Sequence, residues 1–339
     1  SSTTYSYDNT PGFYPTSLFN ADFGWEKTTK FELAIETSLW KGRINLDASY
    51  YQNISSGQLI GYALPSITGF NSIQSNSPAK VRNTGLEIVL SSSILKTAHF
   101  SWDANLNFTL PQNKLLAFPA IESSAYYNTY AVGKSIYAVK KLQSTGVNPQ
   151  TGIYSYSSET SDGMPTITRD GKFIKEVGQQ FYGGVHNSFN YKHFSLDFLV
   201  QFVRQTGWDD VTGFYSQPGS RFGNQPVRVM QRWQSPGQLT GIQKFSQLNT
   251  DVYQAYNNIR NNGDDAITDC SYLRLKNVYL SYEMPGTKGS LRHLTLFLQG
   301  QNVYTLSPFK GADPQNSTFG GVRFLPSLRV LSIGLKLII

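Results

Sequence analysis

The chain has 339 residues, with 29 Lys and Arg against 22 Asp and Glu, for a formal charge of +7. The basic residues are scattered and form no Lys/Arg-rich block, which argues against nucleic-acid binding. No apolar run approaches the roughly 20 residues a membrane helix needs, and the single cysteine, Cys270, excludes an intrachain disulfide.

Residues 1–29 are predicted to be loop-like, with Pro11, Gly12 and Pro15. Nine strands follow, over 30–40, 43–54, 83–93, 99–110, 180–191, 194–204, 270–282, 292–304 and 328–339. Strand 30–40 alternates Phe31, Leu33, Ile35, Thr37 and Leu39 against Glu32, Ala34, Glu36, Ser38 and Trp40. Strand 99–110 sets Phe100, Trp102, Ala104, Leu106, Phe108 and Leu110 against His99, Ser101, Asp103, Asn105, Asn107 and Thr109. A side-chain period of two sends such sets to opposite faces. Strand 270–282 switches parity between Leu273/Leu275 and Val278/Leu280/Tyr282, so a β-bulge near Lys276-Asn277 is predicted to restore one apolar face. Lys41-Gly42 fits a two-residue hairpin turn if Lys41 adopts a positive φ.

The connections alternate. Short links at 41–42, 94–98, 192–193 and 283–291 are interleaved with long ones at 55–82, 111–179, 205–269 and 305–327. A soluble sandwich has no reason to sort its loops in this way. An outer-membrane barrel does, because periplasmic turns are tight and extracellular loops are long. Strand length agrees, since tilted membrane strands need about 9–11 residues against a usual 5–6 or so. The expected fold is therefore all-β, an antiparallel transmembrane β-barrel segment of about nine strands, in contact with outer-membrane lipid. Tyr50, Tyr51, Tyr191, Tyr272, Tyr282 and Tyr304 flank strand ends, as interfacial aromatic girdles would; ordinary β propensity is the alternative. Bacterial barrels close with an even strand number. Nine strands, with 1–29 outside the cell, therefore read as part of a larger barrel whose upstream segment pairs with both open edges. No secretion signal stands at residues 1–20, in keeping with a missing start. Within the long loops, a hairpin of Ser135–Leu142 with Ile153–Ser157 is expected around Asn148–Gly152, and a short helix near 225–234.

The residues that could carry chemistry are few. His99, His186, His193 and His293 lack metal-ligand spacing. Asn261-Asn262-Gly263-Asp264-Asp265 is rich in oxygen ligands, but a polar turn is the favoured reading over calcium at Asp264 and Asp265. Phosphate-binding and nucleophile-elbow motifs are missing from the sequence, so no catalysis, cofactor or metal is expected. The loop aromatics Tyr126, Tyr127, Tyr130, Trp208, Phe214 and Tyr215 are candidates to contact substrate or a lid, with loop packing as the equal alternative.

Several segments in order carry a resemblance. They are Gly24-Trp25-Glu26-Lys27-Thr28-Thr29, Tyr50-Tyr51, Asn83-Thr84-Gly85-Leu86-Glu87, and Arg232-Trp233 with Ser235-Pro236-Gly237. The fullest is Ser271-Tyr272-Leu273-Arg274-Leu275-Lys276-Asn277-Val278 through Tyr282 and Pro285, followed by Gln301-Asn302-Val303-Tyr304-Thr305, Gly311-Ala312-Asp313-Pro314 and Pro326. Together these resemble the barrel of SusC-like (RagA-like) TonB-dependent transporters. Ala312, Gln315 and the terminal Ile339 depart from the family's usual Tyr, Glu and aromatic residue. The resemblance implies a barrel of about 22 strands with an N-terminal plug, a SusD-like surface lipoprotein as lid, and energy supplied through TonB by the upstream part. It implies import of oligosaccharides or oligopeptides at the outer membrane. The alternatives are a non-importing barrel that anchors or secretes surface proteins, and last a soluble β-sandwich lectin.

Overall fold

The computed structural model describes residues 2–7, 10–15, 17–159, 165–210, 216–221, 223–247, 250–285, 293–317 and 325–338. Nine long strands are present: β1 Lys27–Leu39, β2 Ile44–Ser56, β3 Lys80–Lys96, β4 Phe100–Ala117, β5 Gly178–Tyr191, β6 Phe194–Trp208, β7 Tyr272–Glu283, β8 His293–Leu306 and β9 Val330–Ile338. They lie in one sheet in sequence order, with a short strand, Ile267–Asp269, attached to β6. The chain divides into two compact units, residues 1–32, 51–84 and 113–136, and residues 33–50, 85–112 and 137–339.

From β4 to β9 every pairing is antiparallel, and the register decides the faces. Phe100, Trp102, Ala104, Leu106 and Phe108 stand opposite Tyr191, Phe189, Asn187, Val185 and Gly183. Those in turn face Phe194, Leu196, Phe198, Val200 and Phe202 on β6. On β7 the same face carries Tyr282, Leu280, Val278, Leu275 and Leu273, because the register shifts between Leu199 and Val200. The predicted bulge is there: Lys276 is skipped, and the parity switch brings both leucine sets onto one face. Leu296, Leu298, Leu306 on β8 and Leu337, Leu335, Ile333, Leu331 on β9 continue it. Rings interlock along this face, with Trp102 stacked on Phe189 at 5.3 Å and Phe189 on Phe198 at 6.0 Å. An amide on this face, Asn187, accepts a hydrogen bond from the Trp102 indole at 3.0 Å, which answers the cost of a polar group in an apolar setting. Gly183 stays a glycine because a Cβ would collide with the Asn107 carbonyl and the Phe202 ring.

The opposite face is polar. Its rows read Asn190, Ser188 and His186 on β5 against Ser101, Asp103 and Asn105 on β4 and Ser195, Asp197 and Leu199 on β6. Phe31, Leu33 and Ile35 on β1 alternate with Glu32, Ala34 and Glu36 as expected, and all three apolar side chains are more than half exposed.

The short turns meet at one end of the second unit. Ser93 N–H donates to the Arg43 carbonyl, Lys192 N–H to that of His99, and Glu283 N–H to that of His193. Lys41 and Lys192 both adopt left-handed φ, 59° and 52°, so the first hairpin turns as predicted. Residues 286–292 of the last short link lie outside the described residues.

Three local expectations change. Residues 1–29 are not all loop: Ser2–Tyr7 pairs with Thr10–Pro15. A lone two-stranded hairpin tolerates Pro11 and Pro15, since each proline only forfeits a donor at an edge. The loop hairpin turns at Asn148–Gly152, but Tyr154–Tyr156 pairs with Ser144–Val147. Ala138–Lys141 pairs instead with Phe173–Glu176. The Asn148 side chain accepts from Gln150 and Thr151 N–H, closing a turn too tight to reach further back. Near 225–234 only a short 3-10 turn forms, Val227–Gln231. The real helix is Asp251–Asn262, capped by Thr250, whose hydroxyl accepts from Tyr253 N–H. Four asparagines of low helix propensity hide it from a sequence reading.

Candidate functional site

The motif residues converge on structural joints. Arg274 on β7, 2% exposed, bonds Asp313 at 2.6 Å, Gln315 at 2.9 Å and Thr305 at 2.9 Å, and its guanidinium lies over Tyr272. Asp313 also accepts from Ser327 and Gln315 N–H. Gln205 on β6 reaches the Pro314 carbonyl, and Trp208 N–H the Ser317 carbonyl. Thus the Ser271–Tyr282, Gln301–Thr305 and Gly311–Pro314 segments, far apart in sequence, form one buried clamp across the ends of β6, β7 and β8. Gln315 is a neutral acceptor for Arg274, so one carboxylate, Asp313, balances one guanidinium.

The Arg232-Trp233 segment makes a second joint. The Trp233 indole donates to the Pro149 carbonyl at 2.8 Å, and Gly237 N–H does the same. A Cβ on Gly152 would strike the Trp233 ring. Arg232 stacks on Phe245 at 3.8 Å. In the first unit, Asn83 accepts from Asn113, which in turn accepts from Ile136 N–H.

Above β6 the loops of the second unit enclose charges. Lys141, 3% exposed, donates to the Asn261 carbonyl and sits 4.4 Å from the Trp208 ring centroid. Burial pushes its amine down to about 8, against the pull of Asp264. Arg228 bonds both Asp209, at 2.8 Å, and Asp210. Burial raises the Asp265 carboxyl, with its Ser144 hydrogen bond opposing and Asp264 and Asp209 adding. Asp264 accepts from Ser144 N–H and lies 3.8 Å from Lys175. The Asn261–Asp265 stretch is thus a polar turn that ties the helix end to the hairpin. No cluster of three or more metal-ligating side chains occurs among the described residues.

The loop aromatics separate. Tyr126 and Tyr130 stack on each other at 5.9 Å and pack, with Leu115, Phe118 and Ile121, in the first unit's core. Tyr127 is exposed. Trp208 closes β6 in the second unit, under Lys141. Phe214 and Tyr215 lie outside the described residues. The clamp's chemistry is not legible locally: Arg274 and Asp313 stand in the motif segments and Gln315 is a departure from them, but nothing in their neighbourhoods along the chain shows that they touch. The sequence reading also missed the polar-face aromatics Tyr279 and Phe297, which the alternation of β7 and β8 would have revealed.

No protein-family model matches the chain. Curated relatives do. A TonB-dependent receptor of Formosa agariphila, P26, is 26% identical over 340 residues, covering 89% of this chain and 32% of its own. The TonB-dependent receptor SusC of Bacteroides thetaiotaomicron is 21% identical over 96% of this chain and 33% of its own. The resemblance to SusC-like TonB-dependent transporters holds. In solved structures, the RagAB peptide transporter aligns over 99% of this chain and 38% of its own at TM-score 0.75 and 20% identity. The RagAB peptide importer in its "closed-closed" state aligns at TM-score 0.78. The fold is that of a SusC-like barrel fragment. The chain spans about a third of the length of the curated relatives it matches. No helix among the described residues is long and apolar enough to cross a membrane.

Proposed function

We propose that this chain is part of the barrel of an outer-membrane importer of oligosaccharides or oligopeptides, energised through TonB and closed from outside by a SusD-like lipoprotein. The observation that carries the reading is the sheet itself. One face is apolar over six consecutive strands in register, the other is polar, and the short turns gather at one end. That is how a sheet is arranged when lipid wets one side and water the other. Strands β1 and β9 end the sheet; in lipid, unpaired strand edges are too costly to persist. Strands of the same protein outside this sequence would pair with them, and a plug would fill the lumen. The long loops 55–82, 111–179, 205–269 and 305–327, with 1–29, would be extracellular. Tyr127 and Trp208, with Phe214 and Tyr215, would meet substrate or lid, whereas Tyr126 and Tyr130 would brace the loop that presents Tyr127.

The test is uptake by cells carrying the full-length protein. Labelled neutral oligosaccharides or peptides should accumulate, and accumulation should stop when TonB is removed. Trp208→Ala with Tyr127→Ala should lower uptake or lid co-purification at equal barrel abundance. Uptake of neither compound, with the protein abundant in the outer membrane, would favour the surface-anchoring barrel instead.

A further inference from the structure

On the polar face of the sheet, two rings stand together, bordered by hydroxyls, an amide and a carboxylate, with Leu199 as a diagonal apolar neighbour of Tyr279. Tyr279 on β7 and Phe297 on β8 are diagonal neighbours, stacked at 5.7 Å with 27° between their planes. The alternation puts them there: Tyr279 faces Asp197 and Gln299, and Phe297 faces Ser281 and Gly334. Their strand neighbours Val278, Leu280, Leu296 and Leu298 take the apolar face. Both rings are half-buried.

Gly334 lets the Phe297 ring lean across the sheet. A Cβ at Gly334 would lie 2.3 Å from the Phe297 ring, so any other residue would push the ring away. Covering a strand glycine with a cross-strand aromatic is a known stabilising device, and alone it would account for Phe297. It does not account for Tyr279 extending the aromatic surface parallel to it on a water-facing wall, where exposed apolar area is the informative exception. Nor does it account for the surround. Ser195, Asp197, Ser281, Gln299 and Ser332 border the pair in register, and Asp197 lies 3.8 Å from His186.

We infer that Tyr279 and Phe297 form a stacking platform on the lumen wall for a sugar ring of the cargo. This rests on the importer reading above and narrows it to oligosaccharides. A pyranose offers an apolar C–H face and an edge of hydroxyls. The platform offers an aromatic surface with acceptors and donors around it, so one ring satisfies both at once. The base next to Gly334 along β9, Lys336, stands opposite Thr295, whose other neighbour is Glu283.

The experiment uses the full-length transporter with its partners. Binding of neutral glucose oligosaccharides to the purified protein is measured by calorimetry, and their uptake by cells is compared with that of neutral peptides. Tyr279→Ala and Phe297→Ala are expected to raise both Kd and uptake KM for the oligosaccharides about fivefold or more, with maximal rate per barrel unchanged. Phe297→Tyr should retain binding, and Gly334→Val should weaken it by displacing the ring. Loss of barrel abundance with unchanged Kd and KM would overturn the platform and leave a packing role. So would absence of oligosaccharide binding by the wild type, or a KM effect confined to peptides. Binding that is lost in the variants, in a wild type that imports nothing, would support the platform and sink the importer reading instead.

Discussion

In the loop module of the second unit, Leu142, Tyr256 and Ile259 are at most 1% exposed. On the apolar face of β9, Leu331, Ile333 and Leu335 are 71%, 82% and 58% exposed. Both regions segregate apolar from polar side chains, but towards different solvents. The loop module makes its own core, with the Asp251–Asn262 helix laid on the Tyr154 hairpin, and holds its charges in pairs and hydrogen bonds. The sheet leaves its apolar face exposed, and in the proposed reading lipid covers it. Alternating sequence therefore marks the sheet, while the loops beside it bury a core as a water-soluble domain does.

The joint between the two regions should be the most sensitive point. Arg274→Ala would leave Asp313 buried without its cation. Breaking a buried pair from one side typically costs about 3–5 kcal/mol, so the variant should unfold at markedly lower denaturant than wild type. A Gln315→Glu variant tests the same site in the other direction: it adds a second carboxylate near one guanidinium and should bring no comparable loss. A change under about 1 kcal/mol in Arg274→Ala would mean that the clamp is not needed to hold loop to sheet.

The lipid side should respond next. Leu106→Arg places a charge in the middle of the apolar face and is expected to cost about 2–4 kcal/mol in a bilayer. The matching change on the polar face, Asn105→Arg, should cost far less, although the two residues are adjacent in sequence. Equal effects on barrel stability would refute the assignment of faces.

Lys141 gives the loop module a pH dependence. The unfolded amine, at its ordinary 10.5, keeps its proton to higher pH than the folded one at about 8. Between those values the unfolded state binds more protons, so stability rises with pH across that window, by no more than about 1.4 kcal/mol per pH unit. Lys141→Met should flatten the profile from pH 8 to 10.5. A wild-type profile already flat there would show that the amine keeps its ordinary affinity.

The smallest expected effect is the cap of the module's helix. Thr250→Ala removes the acceptor for Tyr253 N–H and should cost about 1 kcal/mol. The loss should appear in hydrogen exchange of residues 251–262 and leave β4–β9 unchanged.

Most of the sheet was legible from its residues. Period-two alternation located all nine strands, and the parity break at Lys276 foretold the bulge, because a strand face is a local property of consecutive side chains. The short-and-long sorting of the loops gave the order of the meander. The loops were read less well. The 251–262 helix draws its stability from burying Ala255, Tyr256 and Ile259 against a hairpin some hundred residues earlier, and its asparagines give no local sign of it. The Asn148 turn was legible, but its partner strand was fixed by turn geometry rather than by composition.

By itself, then, the sequence determined which residues share the apolar face, where the strands run and where the chain turns, since each follows from neighbours along the backbone. Tertiary structure decided which distant residues meet: Arg274 with Asp313, Trp233 with Gly152, Lys141 with Trp208, and Tyr279 with Phe297 above Gly334. Those contacts depend on register and on loop closure, which are set only when the strands pair.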